Sequence, residues 1–123
     1  MGIIDRRFAE RFAEEWIEAW NSHDLDRILA HYSDDFEFAS PRIVELMCEA
    51  TGTLAGKGAI RPYWAKALAR TPELKFELHT VLTGINSLVL YYRSSTGRLA
   101  AEVFDFDERG VVRKSAAHYD AER

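Results

Sequence analysis

Phe8, Phe12, Trp16 and Trp20 recur at every fourth position, with Ala9, Ala13 and Ile17 beside them and charges elsewhere. That period predicts an amphipathic helix over about residues 5–21. NSHD then breaks the pattern, and Asp24 is placed to cap a second helix that turns Leu25, Ile28, Leu29 and Tyr32 inward. In DDFEFASP, residues 34–41, the period changes from helical to alternating. Phe36, Phe38 and Ser40 share one face and Asp35, Glu37 and Ala39 the other, which predicts a strand over 34–40 ended by Pro41. Residues 42–51 read as a short helix carrying Ile43, Leu46 and Met47, and GTLAGKG reads as a loop. A third helix runs to about residue 70 with Ile60, Tyr63, Trp64 and Leu68 on one side. Pro62 is expected in its first turn, where the missing N–H costs little.

The second half alternates as strands at 74–82, 86–93, 98–106 and 111–119, separated by TGIN, SSTG and DERG. Helices first and an antiparallel meander afterwards predict an α+β fold with helices covering one face of the sheet. Closing the DERG turn on Phe106 and Val111 pairs Phe104 with Arg113 and Glu102 with Ser115. Closing SSTG on Arg93 and Arg98 adds Val89 and Tyr91 to the face of Glu102, and TGIN brings in Phe76, Leu78 and Leu82. That face continues through Ala117 and Tyr119. The other holds Leu88, Leu90, Tyr92, Val103 and Ala116, with His79 and His118 among them. Both faces are substantially apolar, which predicts helices on one and a second subunit on the other. The expected partner is therefore another copy of the chain, in a homodimer built through the outer sheet face.

The chain has 123 residues and is read as one domain throughout, 47% hydrophobic and 29% charged, the balance of a soluble globular protein. A net charge of −4 gives no electrostatic case for nucleic acid or an anionic membrane. Neither a membrane-spanning run nor a signal-peptide pattern is apparent. The single Cys48 excludes an internal disulfide, fits a reducing, cytoplasmic setting, and reads as a small packing residue. His23, His31, His79 and His118 are too dispersed for a metal-ligand motif, and Gly56-Lys57-Gly58 lacks the spacing of a phosphate loop. No metal and no cofactor is expected.

Three stretches, WIEAWNSHDLDRILAHYSDDFEFASP, GTLAGKGAIRPYW and AEVFDFDERGVV, in that order, resemble the nuclear-transport-factor-2-like superfamily in its SnoaL-like branch. The resemblance implies a cone: a strongly bent sheet wrapped on helices around a deep apolar cavity, usually dimeric through the outer sheet face. Similar cones serve as ketosteroid isomerases, polyketide cyclases, epoxide hydrolases, dehydratases and non-catalytic binding modules, so function must be argued from the site. At the position matching the isomerases' proton-shuttling aspartate stands Ser40, and at that of the oxyanion-binding tyrosine stands Trp16. Only Glu102 matches a carboxyl, the protonated aspartate of the third meander strand. On the last strand, where cyclases carry an acid or an acid–histidine pair, the inward positions are Ser115, Ala117 and Tyr119, and His118 is expected outward.

Glu102 is the candidate catalytic residue: either a buried carboxyl acting as acid or base, or one arm of a salt bridge with Arg113. Arg113 in turn is an anchor for an acidic ligand group or simply that partner. Tyr91 and Tyr119 either present hydroxyls to a ligand or serve as core. Ser40 either hydrogen-bonds at the pocket mouth or caps the turn before Pro41. Trp16, Trp20, Phe36, Phe38, Met47, Trp64 and Phe104 are core residues by composition, yet together they are able to line a cavity for an apolar, ring-containing molecule. Two readings stay open: a module binding a small apolar or carbonyl ligand, and a cofactor-free isomerase, cyclase or hydrolase using Glu102.

Overall fold

A computed structural model describes residues 4–121. The first helix, α1 (Arg6–Ser22), starts where Asp5 accepts a hydrogen bond from the Phe8 N–H, and its buried stripe is Phe12, Trp16, Ala19 and Trp20 with the small Ala9 and Ala13. His23 ends it with a left-handed φ of 62°, and Asp24 caps α2 (Leu25–Leu29) by accepting from the Arg27 N–H. The same connection anchors the far side of the cone. The Asn21 side chain bonds both the N–H and the carbonyl of Phe76, and His23 Nε2 lies 2.8 Å from the Leu74 carbonyl.

Strand β1 (Tyr32–Ala39) buries Phe36 and Phe38 and exposes Asp35 and Glu37, as the alternation predicts. It begins two residues early, so Tyr32 belongs to the strand rather than to the helix before it. Ser40 then caps α3 (Pro41–Met47), and the short β2 (Thr53–Ala55) folds back on β1 within the expected loop. Helix α4 (Lys57–Arg70) starts earlier than expected, so Pro62 falls in its second turn. The carbonyl that loses its partner there belongs to exposed Gly58, where water can take the place of the missing N–H.

The start of α4 depends on Gly56, at φ 86° and ψ 148°, whose N–H reaches the Phe36 carbonyl at 2.7 Å. A Cβ there would meet nothing nearer than the Asp34 carbonyl at 3.9 Å, so the obstacle to a side chain is the backbone conformation and not space. Gly56→Ala is expected to cost about 1–3 kcal/mol, read as a lower urea midpoint with an unchanged slope.

The remaining strands are β3 (Glu77–Thr83), β4 (Ser87–Arg93), β5 (Leu99–Phe106) and β6 (Val112–Tyr119). They form one mostly antiparallel six-stranded sheet in the order β2-β1-β6-β5-β4-β3, in which β1 and β6 run parallel. Helices and curved sheet make the α+β cone that the sequence predicts. None of the described helices is long and apolar enough to cross a membrane.

The registers differ from expectation in instructive ways. The turn after β4 pairs Ser94 with Arg98 and leaves Gly97 at φ 86°, a three-residue loop with glycine in the left-handed position. Arg93 therefore faces Leu99, and the one-residue shift turns Leu88, Leu90 and Tyr92 inward. Tyr91, expected inside, is on the outer face. The turn after β5 also closes one residue later, Asp107 to Val111, and a bulge follows at Arg113. The two shifts compensate, so Ser115, Ala117 and Tyr119 keep their inward parity while Arg113 is taken up by the bulge and exposed to solvent. A further bulge at His79 turns Val81 inward and leaves Leu82 exposed.

Candidate functional site

The inward face of β5 reads Ala100, Glu102, Phe104 and Phe106, so a carboxyl stands in the middle of an otherwise apolar wall. Glu102 is 4% exposed. Tyr92 on β4 donates its hydroxyl to Oε1 at 3.1 Å, and Ser115 on β6 donates to Oε2 at 3.2 Å. Among the described residues, no Lys, Arg or His nitrogen lies within 4.0 Å of this carboxylate. The Glu102–Arg113 pair expected from the sequence does not form, because the bulge carries Arg113 to the other side of the sheet. Burial pushes the Glu102 carboxyl up to about 7, against the opposing pull of the two hydroxyl bonds.

Around this carboxyl the hydroxyls are held neutral. Burial, and then the Glu102 charge, push the phenols of Tyr92 and Tyr32 well above the usual range. Tyr32 accepts a 2.9 Å hydrogen bond from the Trp16 indole, so the indole at the position expected to meet an oxyanion is already engaged. Trp20, one turn further along α1, has the opposite status. Its Nε1 is buried and has no hydrogen-bond partner among the described residues, an unusual condition for a native polar atom.

An inner chamber of about 60 Å³ opens between α1, α4 and the sheet, walled by Trp16, Trp20, Phe38, Tyr63 and Trp64 with Glu102 in its lining. It continues into a vestibule of about 370 Å³ bounded by the Ser94–Thr96 turn, Thr71 and Arg98. Arg42, Phe76, Tyr92 and Tyr119 belong to the walls of both spaces and mark the throat between them.

Of the residues singled out in the sequence, Glu102, Trp16, Phe38, Trp64 and Tyr119 thus converge on the chamber. Phe36 lies behind it, its ring tilted against those of Tyr32 and Trp64. Phe104 also lies behind it, packed on Phe12 and Trp16. Met47 is half-buried at the edge of the core. Ser40 is buried and accepts from the Arg42 N–H at 3.2 Å, the capping role, and its hydroxyl also approaches those of Tyr63 and Tyr119. Tyr91 and Arg113 are corrections: both face outward, for the register reasons above. His118 is exposed on the outer face, as its parity predicts.

Sequence reasoning missed Tyr92, Tyr32, Tyr63, Arg42 and the unpartnered indole of Trp20. The signal for Tyr92 was Gly97, because a glycine at the third loop position marks a three-residue hairpin loop and so fixes which tyrosine turns inward. Arg42 carried no periodic signal at all. What results is a buried carboxyl poised near neutrality beside neutral hydroxyls and an indole N–H that has no partner among the described residues, a set able to take up and return a proton.

The SnoaL-like domain family matches the chain over residues 13–120. A SnoaL-like protein of unknown function from Burkholderia thailandensis is 47% identical and superposes with a TM-score of 0.94, covering 97% of this chain and 99% of that one. A provisionally assigned isomerase of the SnoaL-like family from Agrobacterium tumefaciens shares 18% identity at a TM-score of 0.73, over 94% and 99% of the two chains. An NTF2-like protein of unknown function from Cytophaga hutchinsonii shares 16% at 0.69, over 91% and 89%. No curated protein matches the chain.

Proposed function

The chain belongs to the SnoaL-like family, and from that premise we propose that its cone takes up a small, largely apolar carbonyl compound with which Glu102 exchanges a proton. The observation that carries this reading is the company Glu102 keeps. A buried carboxylate normally has a cationic partner or a task, and this one has two neutral hydroxyls. With burial raising it to about 7, it serves as a base in one half of its titration and as an acid in the other. The ionised carboxylate would remove a proton from a carbon beside the ligand carbonyl, and the electron pair would move onto the carbonyl oxygen. The unpaired Trp20 N–H supplies a hydrogen bond for that developing charge. Once the carboxyl has traded that proton with solvent, delivery of the solvent-derived one to the same carbon gives exchange, and return of a proton to a conjugated neighbour gives isomerisation. The step balances without an electron acceptor.

The test is α-hydrogen exchange of 2-tetralone in deuterated buffer, followed by NMR. Wild type is expected to exchange faster than buffer with a rate rising through pH about 7. Glu102→Gln is expected to be at least about 100-fold slower. Equal rates in the two proteins remove the proposed role. A binding module that turns nothing over is the second reading. It is favoured by the inward positions Ser40, Ser115 and Ala117, which supply no second acid or base, and it predicts binding of the same ketone without exchange.

We propose separately that a second copy covers the outer sheet face, where Val89, Tyr91, Ala101, Val103 and Ala116 are only partly buried or exposed. Sedimentation at micromolar concentration is expected to give a dimer, and Val103→Glu a monomer. A monomeric wild type overturns this.

A further inference from the structure

Arg42 stands in the first turn of α3, half-buried, and lines both the vestibule and the inner chamber. Among the described residues no ion pair engages its charge, although the exposed Glu45, three residues on in α3, also lines the vestibule. No carboxylate among them lies within 4.0 Å of its guanidinium, whereas Arg98 on the same vestibule wall lies 3.6 Å from Asp120, and Arg27 and Arg61 bind carboxylates on the outside of the cone. Two phenols flank it. Its charge acts on the hydroxyls of both Tyr63 and Tyr119, and burial, the larger influence, holds each of them in the neutral, hydrogen-bond-donating form. The throat therefore gathers a guanidinium bonded to no carboxylate and phenolic donors beside it, a match for a carboxylate head, with Glu45 on the wall of the vestibule but not of the chamber.

Resting on the small-molecule reading above, we propose that the ligand is an amphipathic carboxylate, held by its charged end at Arg42 and reaching with its apolar end into the inner chamber. The orientation follows from charge. Glu102 lies at the inner end, where its own negative charge disfavours a second carboxylate, and Arg42 lies at the throat where it favours one. It follows from size as well. The inner chamber, about 60 Å³, takes only a small end group, and the vestibule, about 370 Å³, is in the range of small-molecule sites and has the polar rim that a charged head requires. The sequence offers Arg113 as an anion anchor; in the folded chain the cation that lines both chamber and vestibule is Arg42.

The inference is tested by tryptophan fluorescence titration at pH 7.5 with 3-phenylpropionate and its neutral amide, 3-phenylpropanamide. The three chamber tryptophans, Trp16, Trp20 and Trp64, report on occupancy of either probe. Wild type is expected to bind the carboxylate at least about tenfold more tightly than the amide, with the preference shrinking at high salt. In Arg42→Gln the two probes are expected to bind within about twofold of one another, with amide affinity unchanged, which also shows that the variant is folded. Arg42→Lys is expected to keep part of the preference. Equal binding of both probes to wild type, or a preference that survives in Arg42→Gln, overturns the anion site and leaves the container intact. Failure of wild type to bind either probe overturns both.

Discussion

Glu102→Gln is expected to be more stable than wild type at pH 8, and the two proteins are expected to draw together at pH 4. In the folded chain the Glu102 carboxyl titrates at about 7, against an ordinary value of 4.5. Between those values the folded state holds a proton that the unfolded state has released. Stability conferred by this group is therefore fully present below pH 4.5, declines as pH rises, and is gone above about 7. At roughly 1.4 kcal/mol per tenfold change in proton affinity, the whole window amounts to about 3 kcal/mol. Glutamine has the shape of the protonated acid and nothing to titrate, so it escapes the decline. The gap between the variant and wild type is expected to widen by about 3 kcal/mol from pH 4 to pH 8 in urea denaturation at fixed ionic strength. Because the comparison is made across pH, any constant packing difference between the two side chains cancels. A gap that does not change with pH contradicts the burial on which the site depends. The same substitution is the one expected to abolish proton exchange, so a gain in stability would accompany the loss of function, as is common where an active group is held in an unfavourable environment.

Trp16→Ala is expected to remove about 3–5 kcal/mol of stability at any pH. Trp16 is 1% exposed and meets Trp20, Phe76, Tyr92 and Phe104 ring to ring at centroid distances of 5.3–6.1 Å, so it joins α1 to three strands or strand entries at once. Removing it opens a cavity that so many rigid rings cannot collapse to fill. It also takes away the indole donor of Tyr32, whose hydroxyl is then left buried with one fewer partner. Equilibrium denaturation would show the loss directly, and a cost below about 1 kcal/mol would mean that the aromatic cluster is looser than these distances imply.

The elements themselves were legible because periodicity is a property of the chain. Phe8 to Trp20 at every fourth position could only be a buried helical stripe, and Phe36 and Phe38 could only alternate with Asp35 and Glu37 across a sheet. The caps at Asp24 and Ser40 were equally local. Registers were not, because they depend on how many residues a turn consumes. SSTG and DERG each close a three-residue loop with a left-handed glycine, Gly97 and Gly110, and each shifts its partner strand by one. One of those shifts went uncorrected and exchanged Tyr91 for Tyr92. The other was undone by the bulge at Arg113, so Glu102, Ser115 and Tyr119 stayed inward. Glu102 was marked by the family resemblance and by a parity within β5 that no turn can alter, and Ser115 does bond it, whereas Arg113 and Tyr91, which the turns place, were misassigned. Arg42 lay beyond reach for a further reason. Its place at the throat follows from the packing of α3 against α4 and the sheet, and no sequence period encodes that.

Glu102 as a buried carboxyl met only by hydroxyls is the claim from which the proton chemistry, the pH-dependent stability and the orientation of the ligand all descend. Its most direct test is a titration of the glutamate side-chain carboxyl carbons by ¹³C NMR, with Glu102→Gln identifying the resonance. A midpoint near 7 is the predicted result. A midpoint near 4.5, the value of an ordinary solvated glutamate, would contradict it.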